Sequence, residues 1–201
     1  DINLKGMAIS DFNQFDIDTL SLTSNDIFVG VSGTAENLPD SSWNTDLAIG
    51  IDIPHIDNVL DMIPKSLVED LKKYSISGAM NFNGTARGTY KGNTYPNVDA
   101  NIVLNDVRAI ALEKDAEIKL DLETYLKYNA EKKYSSYINV KRLEASVGEN
   151  YFDLKGKVNN ILGDPYIDAK LNCNLNLDYI SSLFPIEGIT YRGKLSSDID
   201  A

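Results

Sequence analysis

The sequence predicts a mainly β fold: a long, curved antiparallel sheet, an open groove or half-barrel, built from repeated β units with a few short helices packed on it. Three observations carry this. Apolar and polar residues alternate with a period of two along much of the chain. A block of sequence recurs at a constant offset of 123 residues, Gly33 falling on Gly156 and Leu20 on Leu143. Short clusters of Gly, Asn, Asp and Ser separate the alternating runs, as hairpin turns do.

Taken in order, Phe15-Asp16-Ile17-Asp18-Thr19-Leu20 opens the first copy of the recurring block, which runs through Phe28-Val29-Gly30-Val31-Ser32-Gly33 to Asn37-Leu38. Its partner runs from Ile138 through Tyr151–Gly156 to Asn160-Ile161. Turn chemistry at Asn37 to Ser42 then leads into Asp46–Ile53, where every odd position is apolar and every even one small or charged. After one extra residue of loop, Leu47, Ile49, Ile51 and Ile53 align with Leu171, Cys173, Leu175 and Leu177. A period of two places such residues on one face of a sheet, and antiparallel sheets with one wet face give this signature.

Each copy next enters an amphipathic segment: Ile56, Val59, Leu60 and Ile63 before Pro64, and Ile180, Leu183 and Phe184 before Pro185. Pro64 ends one helix and opens another, whose stripe of Leu67, Val68 and Leu71 reaches Lys72-Lys73, charges suited to a helix C-terminus. These helices are expected to lie across the apolar face and cap it. A strand with one glycine follows in each copy, at Gly78 and Gly193. Pro96–Ile102 is echoed by Pro165–Leu171, and Ile118–Glu123 alternates with its charges outward. Further turns are expected at Lys91 to Asn93, Gly148 to Asn150 and Asn159 to Asp164. The chain is therefore expected to be a single fragment of a larger repeat protein, with one unit over about residues 1–122 and a second, truncated one over about 123–201.

The 201 residues carry 30 acidic against 19 basic side chains, a formal net charge of −11. That excludes a nucleic-acid partner and electrostatic docking on anionic headgroups, which require a basic patch. His55 is the sole histidine and Cys173 the sole cysteine, so neither a histidine-rich metal site nor an internal disulfide can form. Asp16/Asp18 and Asp198/Asp200 share strand faces without a Gly-centred calcium loop, and a solvated face accounts for them. Gly84, Gly88 and Gly92 open no phosphate-binding helix, and no Ser, Tyr or Lys has the partner spacing of an activated nucleophile. The aromatic cluster Tyr125, Tyr128, Tyr134 and Tyr137 is the one feature that would suit a carbohydrate-active cleft, which also needs paired carboxylates. The chain is expected to be no enzyme and to need no cofactor or metal.

The segment Leu143–Gly148 leading to Phe152–Asn160 resembles the repeat unit of AsmA-like bacterial envelope proteins. So do Pro165–Ala169, Leu175–Ile180, Phe184-Pro185 and the strand through Gly193. The resemblance implies a periplasmic part of an inner-membrane-anchored protein of a Gram-negative bacterium, in a family associated with outer-membrane biogenesis and phospholipid transport. It implies a curved sheet with an apolar floor and no catalytic residues. The segment from Lys65 to Lys73 has no counterpart in the second copy.

On that expectation Leu47, Ile49, Ile51, Met80, Phe82, Leu120, Leu122, Leu171, Cys173 and Leu175 line a groove that takes the acyl chains of a phospholipid or other lipid. Each buried CH₂ would favour binding by ~0.8 kcal/mol before ordering costs. The alternative is a structural or protein-interaction module of the envelope, in which the same side chains fill a closed core and the sheet edges bind protein partners.

Overall fold

The computed structural model describes residues 2–10, 13–60, 74–111, 114, 116–183, 188–189 and 191–200, with the side chains of 2–10 and of residue 60 excepted. Eleven strands follow one another in chain order through one open antiparallel sheet. They are β1 (Ile2–Ser10), β2 (Gln14–Ser24), β3 (Ile27–Asn37), β4 (Trp43–Ile53), β5 (Tyr74–Tyr90), β6 (Asn97–Ala111), β7 (Ala116–Tyr128), β8 (Tyr137–Val147), β9 (Asn150–Asn159), β10 (Tyr166–Asn176) and β11 (Lys194–Asp200). Two short helices interrupt the meander, α1 (Ile56–Leu60) after β4 and α2 (Leu177–Leu183) after β10.

The turns form where local chemistry permits them. Asn25 and Asp26 both adopt left-handed dihedrals (φ 48° and 65°) between β2 and β3, the paired geometry whose twist matches the flanking strands. Gly148 (φ 57°) serves between β8 and β9. In the β3–β4 loop Asp40 Oδ1 accepts from the Ser42 amide at 3.1 Å and the Ser42 hydroxyl at 2.5 Å. Its other oxygen accepts from Lys91 Nζ at 2.6 Å, which ties this loop to the one between β5 and β6.

The recurrence in the sequence has a structural counterpart. An offset of 123 carries β2 onto β8, β3 onto β9 and β4 onto β10. The irregularities repeat as well. The β2–β3 ladder jumps from Ile17↔Gly33 to Leu20↔Val31, and the β8–β9 ladder from Val140↔Gly156 to Leu143↔Leu154. All four positions are related by 123 residues, so both copies bulge at the same place. A bulge bends its strand and raises local twist, so its recurrence gives the two halves the same curvature. In chain order β1 precedes β2 as β7 precedes β8.

The described parts of the two helices, five and seven residues, measure about 8 and 10 Å at 1.5 Å per residue and span a small part of eleven strands spaced about 4.8 Å apart. They sit where β4 and β10 end: Asn58 donates to the Asn25 carbonyl at 3.1 Å, and the Lys114 ammonium to the Ser182 carbonyl. The expected second helix, Lys65 to Lys73, lies outside the described residues.

The described residues form a single sheet layer with little interior. Among the described residues only Ala100, Ala116, Val147 and Cys173 are buried apolar side chains. The chain exposes 13125 Å², whereas an ordinary folded chain of 22.2 kDa exposes about 9,400 Å².

Candidate functional site

Register decides which side chains share a face. Directly opposed residues point to the same side of a sheet, so each ladder carries the assignment to the next strand. From Ile49 the chain of partners runs to Val31 on β3 and Gly84 on β5, then to Ala100 on β6, Leu126 on β7, Ile138 on β8 and Val158 on β9. The neighbouring row holds Ile51, Phe82, Ile102 and Thr124, and the one beyond it Ile53, Met80, Leu104, Leu122, Leu143, Leu154 and Leu171. This face is apolar in every strand from β2 to β11, because each ladder absorbs its bulge without exchanging the faces.

All ten residues expected to line a groove lie on it. Leu47, Ile49 and Ile51 belong to β4, Met80 and Phe82 to β5, Leu120 and Leu122 to β7, and Leu171, Cys173 and Leu175 to β10. One of them cannot touch a ligand. Cys173, set between Phe152 and Ser197 in the ladders, is 1% exposed, so a small side chain among larger ones is sealed from the surface. The other nine keep accessible surface, and Ile167 (65% exposed) and Leu195 (48%) extend the face at its margin.

The opposite face is ionic and wet. Arg87 pairs with Asp46 at 2.8 Å, Lys141 with Glu123 at 2.6 Å, and Lys170 with Asp200 at 2.6 Å, all between exposed side chains. The Asp200 carboxylate holds the Lys170 pKa above its usual value. Exposed pairs contribute at most about 1 kcal/mol each. Their effect is to keep this side hydrated, which leaves the sheet strongly two-faced.

Asp40 supplies a pH test of the loop structure. Its hydrogen bond from Lys91, and then those from Ser42, hold its carboxyl well below the usual range. A depressed folded-state pKa adds stability that is present above the unfolded value and is lost as pH falls through the folded one. In a carboxyl-detected NMR titration Asp40 should remain ionised at pH values below the ordinary aspartate value of 3.8. Lys91→Met should move its midpoint upward, towards the ordinary value of 3.8.

A depression of about 530 Å³ lies on this polar face, opposite the predicted residues. Its floor and walls come from β2 to β7 and include Phe28, Gly30, Ala48, Gly50, Asn83, Asp99, Asn101 and Tyr125. A second, of about 340 Å³, lies at the helix-bearing end between Gly148, Asn150, Asn176, Tyr179 and Lys194. Sequence reasoning found neither. Its aromatic cluster does not assemble: Tyr125 and Tyr137 meet on the polar face with centroids 5.9 Å apart. Tyr128, by contrast, stands opposite Val98 on the apolar face, and Tyr134 is 71% exposed in the 3-10 turn Lys133–Ser135. Among the described residues no group of three or more His, Cys, Asp or Glu could hold a metal ion.

No helix of the described residues is long and apolar enough to cross a membrane. No protein-family model, curated protein or solved structure matches the chain.

Proposed function

We propose that the chain is a non-catalytic lipid-binding or lipid-conducting segment of an AsmA-like envelope protein, placed in the periplasm and taking acyl chains along its apolar sheet face. One observation carries the reading: a continuous apolar face that no other element among the described residues covers. Surface of this extent is unfavourable in water at about 25 cal/mol per Å², and an acyl lipid removes it without requiring shape complementarity. The polar reverse face gives such a lipid carrier its solubility.

The protein-interaction reading has its own observation. β1 and β11 each pair on one side only, and unpaired strand edges are templates for another chain.

Organic extraction of the purified protein followed by lipid mass spectrometry separates the two. Phospholipid should be recovered from the parent and be depleted at least about tenfold in a folded Ile167→Asp or Leu175→Asp chain. A parent that carries no lipid and takes none from vesicles would defeat the lipid reading. It would leave the edges as the functional surface.

A further inference from the structure

The depression on the polar face is built from two adjacent rows of side chains that cross the sheet. In the first row Gly30, Gly50, Asn83, Asn101 and Tyr125 are direct partners from β3 to β7. In the second, Ser32, Ala48, Thr85 and Asp99 are partners from β3 to β6. The Phe28 ring folds over Gly30, its Cζ 2.8 Å from where a Cβ on that glycine would stand. An aromatic ring therefore closes the first row at each end. Four strand spacings, about 19 Å along the sheet, separate them.

Between the rings the floor is low, since Gly50 has no side chain and Ala48 a single methyl. Above it stand polar groups with unused capacity. Asn83 donates to Asn81 Oδ1 at 2.5 Å, which leaves its own carbonyl oxygen to accept. Among the described residues Ser32, Thr85 and Asn101 have no side-chain partner. Tyr125 donates to Asp99, and Lys127 approaches the same carboxylate at 3.9 Å. This hydrogen bond, with burial adding to it, pushes the Tyr125 pKa up to about 12, so the hydroxyl stays a donor at any physiological pH.

We infer that this trough is a binding site for a neutral oligosaccharide of about four sugar units, lying across β3 to β7 with its end rings against Phe28 and Tyr125. Each class of elongated ligand meets a different test. A polyanion is repelled by a chain of net charge −11. An acyl chain would strip water from the Ser32, Asn83, Thr85 and Asn101 side chains without repaying their hydrogen bonds. A peptide would need backbone partners, and in these central strands the backbone groups are already committed to the ladders on both sides. Sugars fit on both counts: their C–H faces pack on aromatic rings and small side chains, and their hydroxyls pair with planar amides and a carboxylate. Asp99 is the sole carboxylate of the trough and is engaged by Tyr125, so the site binds without the carboxylate pair that hydrolysis uses.

The proposal concerns the face opposite the lipid reading and stands or falls separately. Cellotetraose, maltotetraose and chitotetraose would be titrated into the full chain by calorimetry. Phe28→Ala, Asn101→Ala and Ala48→Phe would be examined in parallel, with folding checked by circular dichroism. At least one tetrasaccharide should bind, and each variant should weaken it about tenfold or more. Ala48→Phe fills the trough at an exposed position and keeps the test decisive if another variant misfolds. Ile167→Asp, on the other face, should bind sugar as the parent does. Failure of all three sugars at millimolar concentration overturns the site, and so does binding that Ala48→Phe leaves unchanged.

Discussion

Gly33→Ala is expected to lower the unfolding free energy by about 3–5 kcal/mol, which combines backbone strain and a forced strand displacement. Gly33 has φ 117°, outside the wells open to side-chain-bearing residues, and sits at the bulge between β2 and β3. A Cβ there would overlap the Asp46 carbonyl on β4, whose backbone is held by ladders on both sides. The methyl cannot be accommodated by a rotamer change, so a strand must move. Gly156, its counterpart 123 residues on, has no positive φ, yet a Cβ would stand 2.6 Å from Ala169 Cβ and 2.7 Å from the Asp168 carbonyl. Gly156→Ala should therefore be costly through packing alone. Gly92, with φ 55° and nothing within 4 Å, gives the control: Gly92→Ala should cost about 1 kcal/mol. Urea unfolding of the three variants checks the order. Equal losses at Gly33 and Gly92 would mean that the bulge tolerates a side chain and does not fix the curvature.

That glycine also shows what the sequence disclosed. The recurrence of Gly33 at Gly156 and the alternation in β4, β7 and β10 were enough to give the sheet, its two faces and its repeat. All of these depend on spacing along the chain, which the backbone converts directly into sidedness. The faces were legible because ten residues chosen by alternation need only parity to fall together. The trough was not legible. Its first row joins residues 30, 50, 83, 101 and 125, whose alignment depends on loop lengths and on the bulges at Gly78 and near Asp106. Asp106, with φ 49°, carries no compositional mark of a bulge. The burial of Cys173 escaped for a related reason, since it depends on what flanks it across two ladders. The periodicity of Ile56, Val59 and Leu60 was legible as helical, and α1 forms there; the rest of that stripe, from Ile63 to Lys73, lies outside the described residues.

Lysophosphatidylcholine below its micellar concentration should raise the thermal midpoint of the chain by about 5–11 °C at 100 times its dissociation constant. This is the linkage gain of about 2.7 kcal/mol spread over a chain of this size. The argument rests on the native state alone offering the face: an unfolded chain has no row of aligned apolar side chains for an acyl tail to follow. Leu122 tests it at the centre, where its ladder partners are Leu104 and Leu143. A carboxylate there does little harm, because among the described residues no apolar layer is packed over it and Leu122 keeps accessible surface. Once an acyl chain covers it, the charge loses hydration with no partner to replace it. Leu122→Asp should thus cost little stability in buffer and lose most of the lipid-induced shift. Glycerophosphocholine, the same headgroup without a tail, should shift neither protein. An unshifted parent would remove acyl binding, and a shift given equally by the headgroup alone would place recognition in the polar part of the lipid. The separation of the two effects in Leu122→Asp distinguishes a surface built to be covered from a core built to be closed, because a core residue would show its full cost with no lipid present.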